Sequence, residues 1–282
     1  MELPVNTIPS ENKTKDPRFK LLKYNLPKLP ATFMILGRCG SGKSSILYSL
    51  LTEGYTHKGK SLFDEAVIFL GSMDSVETFD SLPIKNKVIL HEFHPEEFET
   101  YVEDLRKHQL ERLSKNKRPL NIALIFDDFV GQNLLKHSNG KASPLERLAL
   151  TSRHELNASI FLLSQCYKNT GFSNPAMRNN TTTYIIANMT KPEIEKIAEE
   201  HCNNYTPDQF IQVYNEMQKT PFNFMVIDYR RPLDDRITER FTGSLKSPLN
   251  QNGKAQRNGS GSDISDEESK DKPNHPRGKK GI

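Results

Sequence analysis

Apolar residues in this chain gather into short continuous runs instead of alternating with polar ones. The runs of strand length are ATFMIL (31 to 36), EAVIFL (65 to 70), KVIL (87 to 90), NIALIF (121 to 126), ASIFLLS (158 to 164), TTYIIA (182 to 187) and FNFMVID (222 to 228). A strand that is apolar along its whole length must be covered on both faces, the condition of a sheet sandwiched between helical layers. Helical stretches are expected after Gly42, over 95 to 116 and 144 to 155, and again over 191 to 201 and 206 to 218. In the first long one, Phe98, Val102, Leu105 and either Gln109 or Leu113 share a face, and Pro95 followed by Glu96 and Glu97 suits a helix start. Strands alternating with helices predict an α/β domain with a mainly parallel central sheet and helices on both faces.

The two ends of the chain depart from this pattern. Residues 1–28 carry Pro4, Pro9, Pro17 and Pro27 among polar residues and read as an extended arm. Residues 244–282 hold almost nothing apolar, so they cannot offset the entropy of ordering and are expected to be a disordered tail. The folded domain is therefore expected over 29–243. The chain of 282 residues is long enough to bury a sizeable core. Its net charge of +4, from 39 basic and 35 acidic residues, does not by itself mark a polyanion binder. Any such contact must come from local patches. Cys39, Cys166 and Cys202 lie far apart without a CxxC pair, which argues against a disulfide framework or a zinc site and for a reducing setting. No apolar run approaches bilayer-spanning length and no signal-peptide core is present, so a soluble protein is expected.

The first strand leads directly into GRCGSGKSS, Gly37 to Ser45, which satisfies the phosphate-loop pattern GxxxxGK[ST] through Gly37, Gly42, Lys43 and Ser44. Glycines let the backbone of Gly37, Arg38, Cys39, Gly40, Ser41 and Gly42 curl its amides toward phosphate oxygens, and the following helix adds its positive end at Ser44 and Ser45. Lys43 would reach the β and γ phosphates of a nucleotide and Ser44 would ligate Mg²⁺. NIALIFDDF supplies the partner strand. Asp127 ends the apolar run, placed to hold Mg²⁺ through water, and Asp128 follows, placed to orient or deprotonate the attacking water. Alternatives fall away on specific residues. A guanine pocket of NKxD type would need an aspartate where NKVI has Ile89. A lid of the small-molecule kinase type would need free arginines, whereas Arg106, Lys107, Arg112, Lys115, Lys117 and Arg118 are interleaved with acids.

The stretch TSRHELNASIFLLSQ completes the set. The strand after the acid pair is expected beside the phosphate-loop strand, which puts Gln165 near the γ-phosphate as a sensor of hydrolysis. Arg153 sits at the other end of that strand, roughly 23 Å away, so the two cannot serve one nucleotide. In a ring of subunits Arg153 would face the neighbour's γ-phosphate, with Arg147 and Arg178 as competitors for that role.

GRCGSGKSS, ALIFDDF and SRHELNASIFLLSQ, in this order and spacing, resemble the genome-packaging ATPases of the FtsK/HerA type found in large eukaryotic DNA viruses, virophages and Polinton-like elements. The resemblance spans roughly residues 30–230. It implies a RecA-like fold and an ATP-driven motor, a homo-oligomeric ring that moves double-stranded DNA into a capsid, with a capsid or portal component as partner. Lys43, Ser44, Asp127, Asp128, Gln165 and Arg153 carry over by position, though Asp128 stands where related proteins often have glutamate. The setting implied is the host cell interior, cytoplasmic virus factory or nucleus, and the virion. Lys136, His137 and Lys141, or Lys58 and Lys60, are candidates to grip DNA phosphates without sequence preference. Phe129 and Tyr167 read as packing residues. A HerA-like pump on DNA ends and a nucleotide-gated assembly factor with little turnover are the competing functions.

Overall fold

The computed structural model describes Arg18, Lys20, Leu22, and residues 24–72, 75–127, 143–168, 175–241 and 243–244. Along the chain the strands are β1 (Thr32–Leu36), β2 (Thr56–His57), β3 (Lys60–Ser61), β4 (Glu65–Leu70), β5 (Asn86–Leu90), β6 (Ile122–Asp127), β7 (Ala158–Ser164), β8 (Thr183–Ile186), β9 (Met225–Asp228), β10 (Ile237–Glu239) and β11 (Gly243–Ser244). The helices are α1 (Lys43–Ser49), α2 (Val76–Asp80), α3 (Pro95–Ser114), α4 (Pro144–Thr151), α5 (Pro175–Asn180), α6 (Lys191–His201) and α7 (Pro207–Met217). Among the described residues, nine strands form one sheet in the order β11-β10-β9-β8-β1-β7-β6-β4-β5. Every pairing from β5 across to β8 is parallel, and β9, β10 and β11 continue antiparallel.

Each of the seven apolar runs contains a strand, and for most of them the reason is visible in their burial. Alternate residues of β1, β4, β6, β7, β8 and β9 feed two different cores, whereas β5, at the sheet edge, is not covered on both faces as its apolar run predicts: Val88 and Leu90 are exposed and only Ile89 packs inward. Met34, Phe69, Phe126, Leu162 and Tyr184 face one layer with α3, α4, α6 and α7. Phe33, Ile68, Ile125, Phe161 and Ile185 face the other, with α1, α2 and Leu26 of the N-terminal arm. Aromatic rings that are opposite each other in register stack on both faces: Phe33 on Phe161 at 4.6 Å and Phe69 on Phe126 at 4.8 Å. Such pairs lock register, because a slip by one residue would exchange the two faces.

The helix α3 begins at Pro95 with Glu96 and Glu97 in its first turn, and buries Phe98, Leu105 and Gln109. Gln109, and not Leu113, completes the buried face. Its amide donates to the carbonyls of Leu120 (2.9 Å) and Leu156 (2.7 Å) and accepts from the Leu120 amide (2.9 Å). A buried side chain with its donors and acceptor satisfied ties α3 to the entry of β6 and the exit of the turn before β7. On α3, Arg106 pairs with Glu155 at 2.6 Å and Lys107 with Asp104 at 3.3 Å, Arg112 donates to the Arg118 carbonyl at 3.0 Å, and, just past the helix, Arg118 pairs with Asp64 at 2.6 Å. The helix is an ion-paired outer layer of the domain and not a lid.

The structure corrects three further expectations. The last run is a strand only from Met225; Phe222, at φ 55°, belongs to a turn after α7, where Pro221 and the end of the helix break the extended backbone. The segment around Lys58 and Lys60 is a β2-β3 hairpin, not an open loop, with Lys58 (φ 50°) and Gly59 (φ 71°) at its tip. Ser244, counted with the tail, pairs with Thr238 in β11, while residues beyond it lie outside the described ones. From the arm, Arg18 donates to the Leu62 carbonyl (3.0 Å) and the Pro27 carbonyl accepts from Tyr55 Oη (2.7 Å).

Under β8, His201 is buried between two phenols, with Nε2 2.7 Å from Tyr167 Oη and Nδ1 2.5 Å from Tyr229 Oη. Burial pushes its pKa from the ordinary 6.5 down to about 4, against the opposing pull of the Glu200 carboxylate. The unfolded chain takes up a proton below 6.5 and the folded chain only near 4, so acidification across that window favours unfolding by about 3 kcal/mol at this site. Thermal melts from pH 7 to 4.5 should show a falling Tm, and the slope should be shallower in His201→Gln; equal slopes would contradict this.

Candidate functional site

The backbone after β1 turns at Gly37 and enters α1 through Gly40 (φ 74°) and Gly42 (φ 88°), left-handed conformations that favour glycine. Gly37 has a second reason to lack a side chain. A Cβ there would lie 2.2 Å from Ser41 Oγ and 3.1 Å from Ala187 Cβ. The loop is held to the strands on either side: the Gly37 amide donates to Ser164 O (3.1 Å) and the Arg38 amide to Asn188 O (2.8 Å). Lys43 is buried, its Nζ donating to Arg38 O at 3.3 Å across the loop. Ser41 Oγ is buried with no hydrogen-bond partner, an orphan that a phosphate oxygen reaching into the loop would satisfy.

Asp127 ends β6 and is buried. Ser44 Oγ donates to Asp127 Oδ2 at 2.8 Å. This contact unites two segments that are 83 residues apart. It depends on β7 lying between β1 and β6 with their C-terminal ends level, Leu36 opposite Ser164 and Leu163 opposite Asp127. Arg38, Cys39, Gly40 and Ser45 lie on the same loop and helix start, with Arg38, Cys39 and Gly40 exposed. Gln165, one residue past β7, is exposed at the same edge of the sheet. Asp128, Phe129 and the segment with Lys136, His137 and Lys141 lie outside the described residues.

Arg153 lies in the wide helical turn Ser152–Leu156, which closes at Asn157 (φ 50°) before β7 begins. It is therefore at the opposite end of β7 from Gln165. Its Nε is buried without a partner. The side chain lines a cleft of about 580 Å³ with Arg178, Thr182, Glu200, His201 and Tyr229. Burial lowers the pKa of nearby Arg230, and the positive charge of Arg153 lowers it further, so the two cations are within electrostatic reach. The competitors are differently placed. Arg147 is bonded to Glu99, and Arg178 is 3.3 Å from Glu200 and stands over the Tyr167 ring. Tyr167 is fully buried and bonded to Glu200 and His201, a packing residue as expected.

Sequence reasoning missed Asn188 and the turn through Thr220, Pro221 and Phe222, which border a cleft of about 160 Å³ with Arg38 and Ser41. Asn188 sits one residue past an apolar run, a position that Gln165 shares and that could have drawn attention. The turn carried no comparable signal, because its phenylalanine read as part of a strand.

Among solved structures, the genome packaging NTPase B204 from Sulfolobus turreted icosahedral virus 2, in complex with AMPPCP, aligns with 13% identity and a TM-score of 0.47, over 74% of this chain and 96% of that one. EssC (ATPases 2 and 3) from Geobacillus thermodenitrificans aligns with 14% identity and a TM-score of 0.50, over 76% of this chain and 39% of that one, a likeness of fold. Comparison with curated proteins finds no match. The family model described as poxvirus A32 protein matches residues 18–227, from the arm into β9, and so takes in the phosphate loop, Asp127 and the β7 block together. The chain belongs to the poxvirus A32 protein family and is a viral P-loop ATPase of genome packaging.

Proposed function

We propose that the chain binds ATP with Mg²⁺ in the loop from Gly37 to Ser45 and hydrolyses it to drive double-stranded DNA into a capsid as a homo-oligomeric ring. The observation that carries the site assignment is the 2.8 Å bond from Ser44 to Asp127. A hydroxyl and a carboxylate side by side are hard oxygen donors of the kind Mg²⁺ takes when its other ligands are water and phosphate. When bound, Mg²⁺ would neutralise charge on the phosphate oxygens. Lys43, already directed across the loop, would exchange the Arg38 carbonyl for a phosphate oxygen. Ser41 Oγ would gain the partner it lacks. Asp128, next after the buried Asp127, would orient or deprotonate the attacking water, and Gln165 would contact the terminal phosphate at the same sheet edge.

Arg153 is the best supported candidate for action on a neighbouring subunit's nucleotide. Its guanidinium stands away from its own phosphate loop and keeps a nitrogen unbonded, where Arg147 and Arg178 hold carboxylates. Exposed Lys58 and Lys60 on the β2-β3 hairpin would contact DNA phosphates, as would Lys136, His137 and Lys141. Among the described residues no helix is long and apolar enough to cross a membrane, and the motor would work inside the infected cell, against a capsid or portal component.

Lys43→Ala should lower ATP turnover on the order of a hundredfold or more, since positioned charge carries most of this chemistry. Duplex DNA should stimulate turnover of the assembled wild type, with stimulation falling steeply as salt rises. Absence of stimulation in an assembled sample would sink the motor reading. Arg153→Ala alone should be nearly inactive, yet mixing it with Lys43→Ala should restore part of the turnover, because each subunit supplies what its neighbour lacks. Full turnover by Arg153→Ala alone would move the role to Arg147 or Arg178.

A further inference from the structure

A cleft of about 650 Å³ runs along one flank of α1, beginning at the phosphate loop. Ser41, Gly42, Ser45 and Ser49 form its helix side, and Phe222, Phe224, Arg240 and Phe241 form the opposite wall. That wall is a built aromatic surface. Phe224 and Phe241 meet edge to face at 5.6 Å, and the guanidinium of Arg240 lies over the Phe224 ring at 6.0 Å. Arg240 is pinned there by its own amide on Phe224 O (3.0 Å) and its Nε on Asn223 Oδ1 (3.1 Å).

Phe222 stands where the wall meets the loop. It is 74% exposed, and its Cδ1 lies 3.6 Å from where a Cβ on Gly42 would be. Water contact over most of a phenyl ring is unfavourable, and the backbone compounds this, with Phe222 at φ 55° and Arg240 at φ 50°. Left-handed backbone at bulky residues persists where the surrounding structure enforces it, and it concentrates at ligand clamps. Both strained residues here flank one cleft. The cleft is continuous with the loop proposed to hold a polyphosphate, so whatever is attached to that polyphosphate must leave along it or into solvent.

We propose that this cleft is the base subsite of the nucleotide, with a purine stacked on Phe222 and flanked by Phe224, Phe241 and the Arg240 guanidinium. Stacking on aromatic and guanidinium faces recognises the flat π-surface of a base, and the two-ring purines present more of it than pyrimidines. The inference rests on the phosphate-loop reading and adds to it a subsite that the loop motif does not specify. It also gives the α7-to-β9 turn a role, since Phe222 could sit against the loop only if the chain reverses at Pro221.

The test measures calorimetric binding of ATP, CTP and inorganic tripolyphosphate to the full chain as wild type, Phe222→Ala and Lys43→Ala. Phe222 is exposed, so its truncation leaves the core intact. The wild type should bind ATP more tightly than CTP. Phe222→Ala should lose about tenfold in ATP affinity while tripolyphosphate affinity stays within about twofold. Lys43→Ala should weaken all three ligands. Unchanged ATP affinity in Phe222→Ala, or equal losses for ATP and tripolyphosphate, would overturn the base subsite while leaving the phosphate loop in place. Tripolyphosphate and ATP binding that both ignore Lys43→Ala would overturn the phosphate-loop reading itself and the base subsite with it.

Discussion

The site depends on the hydrogen bond between Ser44 and Asp127, and that bond depends on strand order. Neighbouring strands are about 4.8 Å apart, so β1 and β6, separated by β7, are held about 10 Å from each other. The gap is too wide for the two strand ends to touch directly. The loop after β1 crosses it by folding over the C-terminal edge of the sheet, and the first turn of α1 then delivers Ser44 to Asp127. Left-handed backbone at Gly40 and Gly42, and a side-chain-free Gly37, are what make that path sterically open.

The inserted strand does more than separate its neighbours. Because β7 is hydrogen-bonded to both β1 and β6, its C-terminal end at Ser164 touches the phosphate loop, and its entrance, at Arg153, lies at the opposite edge of the sheet. One rigid element thus links the proposed phosphate sensor to the proposed intersubunit arginine. The stacked aromatic pairs Phe33–Phe161, between β1 and β7, and Phe69–Phe126, between β4 and β6, lie on opposite faces of the sheet and resist sliding of these strands.

Much of this was legible in the chain itself. Continuous apolar runs revealed a sheet covered on both faces, and burial of every residue in β1, β6, β7 and β8 is the physical counterpart. GRCGSGKSS and the aspartate of ALIFDDF marked by residue type the two segments that the fold brings together at the candidate site, where Ser44 meets Asp127. The antiparallel extension β9-β10-β11 was half hidden, because β10 and β11 are only three and two residues long. The choice between Gln109 and Leu113 was undecidable from periodicity, and was settled by which side chain could hydrogen-bond the carbonyls of Leu120 and the buried Leu156. The aromatic cleft beside α1 was invisible for a different reason: Phe222, Phe224 and Phe241 come together only through the turn after α7 and the return of β10, and no local pattern encodes that meeting.

The most direct test of the account is the affinity of a non-hydrolysable ATP analogue, measured with and without Mg²⁺, in the wild type and in Asp127→Asn. If Ser44 and Asp127 form one metal-binding pair, Mg²⁺ should tighten binding to the wild type and have little effect in the variant, while metal-free affinity stays similar in both. An equal Mg²⁺ effect in the two proteins would contradict the pairing on which the site is built.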